Sequence, residues 1–221
     1  LIAAMAVRAN PGVRTFTIRF PGHGRFDETE HARRIARHFG TEHTELDMEP
    51  SSVELLPTLA GQYDEPIIDS SMVPTYLVCR LVRRHCTVAL GGDGGDELFG
   101  GYPYYRRALW MQKRLGWLPP MLRRWTSACS GRLLPVGLPG RNYLQALRSD
   151  FGRDMPPIAT VFDFISRRAL LRPDLSASLN DGDYAESLRA QRAPRLDDLL
   201  QRMTRMDFDN YLPEDILVKV D

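Results

Sequence analysis

Hydrophobic and polar positions follow two periods in the first half of the chain and only one in the second. Residues 13–20 alternate, with Phe16, Ile18 and Phe20 on one face and Thr15, Thr17 and Arg19 on the other, which predicts a strand. Residues 1–9 read as a helix closed by Asn10-Pro11-Gly12, and Pro21-Gly22-His23-Gly24 as a loop. Asp27 is placed to cap a helix, with Glu30 in capping-box position. Ala32, Ile35, Ala36 and Phe39 then fall at i, i+3, i+4 and i+7, which predicts a buried stripe ended by Gly40. A short strand is expected over 42–48, a helix near 51–60, and a loop from Tyr63 to Asp69. Ser70 or Ser71 should cap a helix through Arg84, with Pro74 in its first turn. The apolar run Thr87-Val88-Ala89-Leu90 predicts a further strand. Strands separated by helices imply a parallel sheet with right-handed crossovers. From about 103 the alternation stops. Helical stretches are expected near 103–114, 119–130, 141–149, 158–170, 183–192 and 195–210, broken by Leu118-Pro-Pro120 and by Leu134–Gly140. The chain thus reads as an α/β part, 1–115, followed by a helical part, 116–221, with the seam near 102–118.

Residues 90–102, at the carboxyl end of the last predicted strand, change the picture. They read Leu-Gly-Gly-Asp-Gly-Gly-Asp-Glu-Leu-Phe-Gly-Gly-Tyr, six glycines around three carboxylates, Asp93, Asp96 and Glu97. Glycine allows sharp turns and close approach to a ligand. The acids can hold a hard cation such as Mg²⁺, which bridges phosphate oxygens. A site beyond a strand's carboxyl end is where open α/β sheets bind ligands. By letter, Gly91 to Phe99 also fits the calcium β-roll nonapeptide, but that architecture needs stacked copies and the chain has one. A solvated glycine-rich turn is the plain alternative.

Composition adds boundaries. The length of 221 residues allows one large domain or two small ones, and 43% hydrophobic residues allow a substantial core. A net charge of +1 gives no case for a nucleic-acid partner. Cys79, Cys86 and Cys129 have no C-x-x-C spacing, which argues against a disulfide framework or zinc site and suits a reducing, cytoplasmic setting. No apolar run of about 18 residues predicts a membrane span. His23, His31, His38, His43 and His85 form no ligand pattern, and Arg33-Arg34 and Arg83-Arg84 read as solvated helix faces.

Leu90–Tyr102 resembles the second signature of the synthetase domain of glutamine-dependent asparagine synthetases. Other segments agree in order. Thr15–Phe20 looks like the family's second strand, and Phe26-Asp-Glu28 through Ala32…Gly40-Thr-Glu-His43 like its next helix and strand. Asp64-Glu-Pro66 through Asp69-Ser-Ser71 and Pro74–Leu77 look like the segment before the signature. Tyr211–Asp215 through Lys219-Val-Asp221 resembles a later landmark. The resemblance implies a pyrophosphatase-type α/β fold, with a parallel sheet of the adenine-nucleotide α-hydrolase (HUP-like) kind and a following helical part. It implies ATP and Mg²⁺, adenylation of a carboxylate such as aspartate, and displacement of AMP by ammonia derived from glutamine. Through it, Asp96 is expected as the metal–pyrophosphate ligand and Asp93 as the acid tied to the acyl-adenylate. Gly91 and Gly92 are expected as backbone positions near the nucleotide, and Ile18 as an apolar contact near the adenine. Glu97, Asp69 and Lys219 are secondary candidates: Glu97 as a loop-orienting group, Asp69 as a pocket acid or helix cap, and Lys219 as a phosphate contact.

Departures from the family pattern carry further expectations. The family often has Ser at position 91, so a hydroxyl contact is absent here. The first signature, Ser-Gly-Gly-x-Asp-Ser, and the central strand that carries it are missing, as is the amino-terminal glutaminase domain. The chain therefore reads as an internal piece of a synthetase, expected to bind Mg²⁺-ATP poorly and not to turn over alone. The resemblance also admits a homodimer. The same loop would serve β-lactam formation, peptide macrocyclisation or amidation of a polysaccharide precursor. A non-catalytic nucleotide-binding or interaction module is the reading from another class.

Overall fold

In a computed structural model of the protein, the described residues are 1–19, 27–47, 53–63, 69–158, 166, 169–178, 188 and 191–220. They form an α/β structure with a small parallel sheet and many helices. They divide into two compact units, residues 1–93 with 213–221, and residues 94–212. The loop at 21–24, the acids Asp64 and Glu65, Asp221, and most of the helices expected over 158–170 and 183–192 lie outside the described residues.

The first unit is built on one strand–helix–strand repeat. β1 (Arg14–Arg19) pairs in parallel with β2 (Glu42–Asp47), with Arg14 opposite Glu42 and Arg19 opposite Asp47. Between them runs α2 (Thr29–Phe39), ended by Gly40 at φ +64°. α2 packs on both strands, and α1 (Ile2–Ala9) packs on α2. Arg33 ties α2 to the sheet: its Nε and Nη2 donate to the two Glu45 oxygens at 2.8 and 3.0 Å. Arg19 extends the lattice to Asp47 at 2.8 Å. The hydrogen bond from Arg33 holds the Glu45 carboxyl below its ordinary range despite partial burial.

Asp27 does satisfy the Thr29 N–H, at 3.0 Å. Glu30, expected to complete a capping box, instead accepts from Arg33 and Arg34. The predicted apolar stripe of α2 is only partly covered. Ala36 is buried, whereas Ile35 is 50% exposed. Strands lie about 4.8 Å apart, so two of them are narrower than a helix with its side chains.

The strand expected at 87–90 is corrected. It forms no ladder among the described residues, and Val88 and Leu90 are each 78% exposed. β-type composition favours a pleated, half-buried surface but cannot make one without a neighbour to pair with. The first unit is completed by a 3₁₀ turn (Val53–Leu55), α3 (Leu56–Ala60) and α4 (Met72–Val82).

The second unit is helical and carries the larger core. It holds α5 (Gly95–Phe99), α6 (Pro103–Leu115), α7 (Pro120–Leu133), α8 (Arg141–Ala146), α9 (Pro173–Ser178) and α10 (Leu199–Met206). Tyr105, Ala108, Met111, Ala146, Leu147, Phe151, Met155, Ile158, Leu199 and Met203 form one buried cluster. Arg202, 1% exposed, donates to the carbonyls of Phe151, Gly152, Leu196 and Asp197 and stitches two irregular segments to α10. α7 is turned opposite to the usual amphipathic sense. Arg123, Ser127 and Ser130 face inward, while Met121, Trp125 and Leu133 are exposed. Carbonyls accept from the inward groups, Ser149 from Arg123 Nη1 at 2.8 Å and Gln145 from the Ser127 hydroxyl at 3.0 Å, while Arg123 Nε has no partner among the described residues. After α10 the chain continues in wide π-type turns (Asp207–Ile216) and ends in α11 (Leu217–Val220) of the first unit.

Candidate active site

The glycine–acid loop is not all loop. Residues 95–99 form α5, a helix the glycine content hid from the pattern. It starts after Gly94, whose φ of +85° is a left-handed conformation that disfavours a Cβ, and a Cβ there would meet Leu212 at 3.3 Å. Neighbouring helical side chains point about 100° apart, so Asp96 and Glu97 take different environments: Asp96 is exposed and Glu97 is 2% exposed.

Asp96 lies against Gly101. A Cβ at position 101 would sit 1.8 Å from Asp96 Oδ1, so the carboxylate occupies the place of the missing side chain. The Gly101 N–H also donates to the Asp96 carbonyl at 3.0 Å. In the first unit the same device recurs, for a Cβ on Gly91 would sit 2.3 Å from Asp93 Oδ2. A Cβ on Gly92 would meet nothing within 4 Å, leaving that backbone open to close approach. Both carboxylates are exposed, and neither accepts a hydrogen bond or joins an ion pair among the described residues. Unpaired carboxylates lying against glycine backbone are available to a cation.

No group of three or more His, Cys, Asp or Glu side chains that could hold a metal occurs among the described residues. That excludes an all-protein cage there, but Mg²⁺ commonly takes one or two carboxylates and completes its shell with phosphate and water. Asp96 fits that requirement, being an oxygen donor that is exposed and unpaired.

Glu97 accepts a hydrogen bond from the Tyr102 hydroxyl at 2.5 Å. Burial, and next this carboxylate, push the Tyr102 phenol well above its ordinary value. Tyr104 and Tyr105 both donate to Asp207, the latter at 2.7 Å, and are pushed up for the same reasons. Rings of Tyr102 and Tyr104 stack with centroids 5.2 Å apart.

The remaining candidates lie in the first unit. Ile18 is half-buried in β1 opposite Leu46. Asp69 Oδ1 accepts from the Ser71 N–H and Oδ2 from its hydroxyl, each at 2.8 Å, which shapes the turn into α4. Lys219, its side chain 4% exposed, reaches Asp69, Ser71 Oγ at 2.9 Å and Asp215 Oδ1 at 2.8 Å. The ammonium thus donates to Asp69 and Ser71 and forms an ion pair with Asp215. Burial raises the Asp69 carboxyl, but the hydrogen bonds from Lys219 and Ser71 outweigh it and hold the group at about 2. Burial lowers the Lys219 ammonium, and Asp215 and Asp69 outweigh it and raise it.

Sequence reasoning missed Asp215, although its place four residues before Lys219 is the spacing of a helical ion pair. It also missed Tyr102 as a partner of Glu97 and Gly101 as the bed of Asp96, for which only composition gave a signal. Cys79, Cys86 and Cys129 are free thiols. Among the described residues no helix is long and apolar enough to cross a membrane.

A small parallel α/β unit, many helices and a glycine-bedded acidic loop define a class consistent with nucleotide-binding synthetase domains. Comparison with known proteins makes this specific. The profile of the asparagine synthase family matches residues 1–221, and the chain belongs to that family. It is 35% identical over its whole length to a putative glutamine-hydrolysing asparagine synthetase of Mycobacterium bovis, covering 33% of that protein. It is 27% identical over its whole length to asparagine synthetase 1 of Bacillus subtilis, covering 34% of it. Asparagine synthetase B of Escherichia coli is 31% identical over 105 residues, 44% of this chain and 18% of that protein. The chain therefore spans about a third of the length of the first two relatives. No solved structure matches it significantly.

Proposed function

We propose that the protein is part of an ATP-dependent, AMP-forming amide ligase that activates a carboxylate, aspartate above all, and delivers ammonia from glutamine to it. Family membership over the full chain supports the ligase class. The single structural observation that carries the site is the pair of unpartnered carboxylates, Asp93 and Asp96, each lying where a glycine lacks its Cβ. Residues 1–115 serve as the nucleotide part and 116–221 as the helical part of one synthetase domain, with a sheet of the adenine-nucleotide α-hydrolase (HUP-like) type. The glutaminase domain of such ligases is the implied source of ammonia, and the setting is cytoplasmic.

In this reading Asp96 holds Mg²⁺ together with the triphosphate tail of ATP. The ion, when bound, offsets the negative charge that develops on departing pyrophosphate. Gly101 keeps the Asp96 carboxylate in one place, and the open backbone at Gly92 lets the nucleotide approach. Asp93, bedded on Gly91, stands by the acyl-adenylate. Ile18 offers an apolar contact on the strand side. Lys219 and Asp69 act as a clasp between α11 and α4, with the buried ammonium held by Asp69, Ser71 and Asp215.

The test is pyrophosphate release from Mg²⁺-ATP by the full-length protein with aspartate and glutamine or ammonium. D93A and D96A should each abolish it, D96A together with Mg²⁺-dependent nucleotide binding. Wild-type turnover of both variants would refute the assignment. Release with another carboxylate but not aspartate would move the protein to the β-lactam, macrocycle or polysaccharide branch of the same chemistry.

A further inference from the structure

We propose that Glu97 and Tyr102 are a positioning pair for Asp96: their hydrogen bond across the α5 turn presses Gly101 against the Asp96 carboxylate and so holds it ready for the cation. The proposal rests on the reading of Asp96 as the metal ligand. Its ground is the build of the loop. α5 has five residues, too few to be stable alone, since helix nucleation is unfavourable and needs tertiary support. Its amino end is held by Gly94 against Leu212. Beyond its carboxyl end the chain turns at Gly100, φ +68°, and runs back past Asp96 through Gly101 to Tyr102. The hydroxyl of Tyr102 then reaches Glu97, the inward neighbour of Asp96, at 2.5 Å.

The ring bearing that hydroxyl is itself fixed. It stacks on Tyr104 and meets Tyr105 and Tyr211 edge-on, with centroids 5.6 and 6.2 Å away. Tyr104 and Tyr105 are anchored in turn by Asp207. A rigid aromatic cluster thus fixes Tyr102, Tyr102 fixes Gly101 on one side and Glu97 on the other, and the Asp96 carboxylate lies in the bed between. Glu97 touches no substrate in this arrangement. It acts through Asp96, as partners beyond the first ligand shell commonly do in metal sites.

Calorimetric titration of full-length protein with Mg²⁺ and a non-hydrolysable ATP analogue tests the pair, with Mn²⁺ binding followed by electron paramagnetic resonance as a second readout. Y102F and E97A should weaken metal–nucleotide binding by roughly tenfold or more, the range for lost outer partners. E97Q, whose amide oxygen still accepts from Tyr102, should bind more tightly than E97A. S127A removes a hydroxyl hydrogen bond, to the Gln145 carbonyl, in the same unit and outside the aromatic cluster; it should lower stability without changing metal affinity. Wild-type affinity in Y102F, alongside loss in D96N, overturns the positioning role and leaves the metal assignment standing. Wild-type affinity in D96N overturns both. Equal weakening in Y102F and S127A also overturns the pair, since it would mean that general loosening is responsible.

Discussion

Replacing Gly101 by Ala tests the bed of Asp96 most directly. The new Cβ would lie 1.8 Å from Asp96 Oδ1, 2.9 Å from its Cγ and 3.3 Å from its Cα. An ordinary contact is about 3.5 Å, so the oxygen must retreat by well over an ångström. Gly101 does not have a positive φ, so Ala brings no backbone penalty of that kind. Two responses are open. Asp96 can turn to another rotamer, at about 0.5–1.5 kcal/mol if that rotamer is imperfect, or the backbone can shift, at about 1–3 kcal/mol. The carboxylate is exposed and unpaired, so rotation is the easier response. Stability should therefore fall by less than about 1.5 kcal/mol. A carboxylate moved by an ångström is outside the roughly 0.2 Å tolerance of metal sites, so Mg²⁺-nucleotide affinity should fall about 10–100-fold. Urea unfolding and calorimetric titration of the same samples separate the two effects. G95A is the control, since its Cβ would meet nothing within 4 Å. If G101A binds Mg²⁺-nucleotide as the wild type does, the bed has no part in placing the ligand.

Other expectations follow from the same geometry. K219M leaves Asp69 and Asp215 facing each other without their cation and should lower stability by about 2–3 kcal/mol at pH 7, short of a fully buried pair because both carboxylates keep some solvent contact; equal urea midpoints would contradict the clasp. Asp69 is held at about 2 against an ordinary 3.8, so the folded chain takes up that proton later than the unfolded one. The contribution is complete above about pH 5 and is lost as pH falls through 4 toward 2. The wild-type advantage over D69N in urea should shrink across that window, and a pH-independent difference would rule out the linkage. R202A strands carbonyls of Phe151, Gly152, Leu196 and Asp197 and should cost about 3 kcal/mol or more, with R202K recovering little because Lys lacks the planar fork; unchanged thermal melting would refute this. G94A forces a Cβ into a left-handed residue against Leu212 and should cost about 1–2 kcal/mol by chemical denaturation.

Much was legible in the sequence because it is local. The period of two in 14–19, the helix of α2 and its stop at Gly40 depend on neighbours a few residues away, and the structure reproduces them, whereas the burial of the α2 stripe does not and is only partial. The acids and glycines of 90–102 led from composition alone to the proposal of cation and phosphate chemistry. Pairing is not local. Val88 and Leu90 have strand composition, yet form no ladder among the described residues and lie exposed, because a strand exists only where another offers its hydrogen bonds.

The sequence by itself determined the family, the α/β order of the first half and the identity of the two acids that matter most to the proposed chemistry. Tertiary structure decided what those acids rest on and which other residues support them. Asp96 finds its bed in Gly101 and Glu97 its partner in Tyr102 after the chain has turned at Gly100, while Lys219 meets Asp69 across 150 residues. Contacts between distant residues leave no period or spacing in the sequence, because each depends on where the whole chain brings its side chains rather than on what stands next to them.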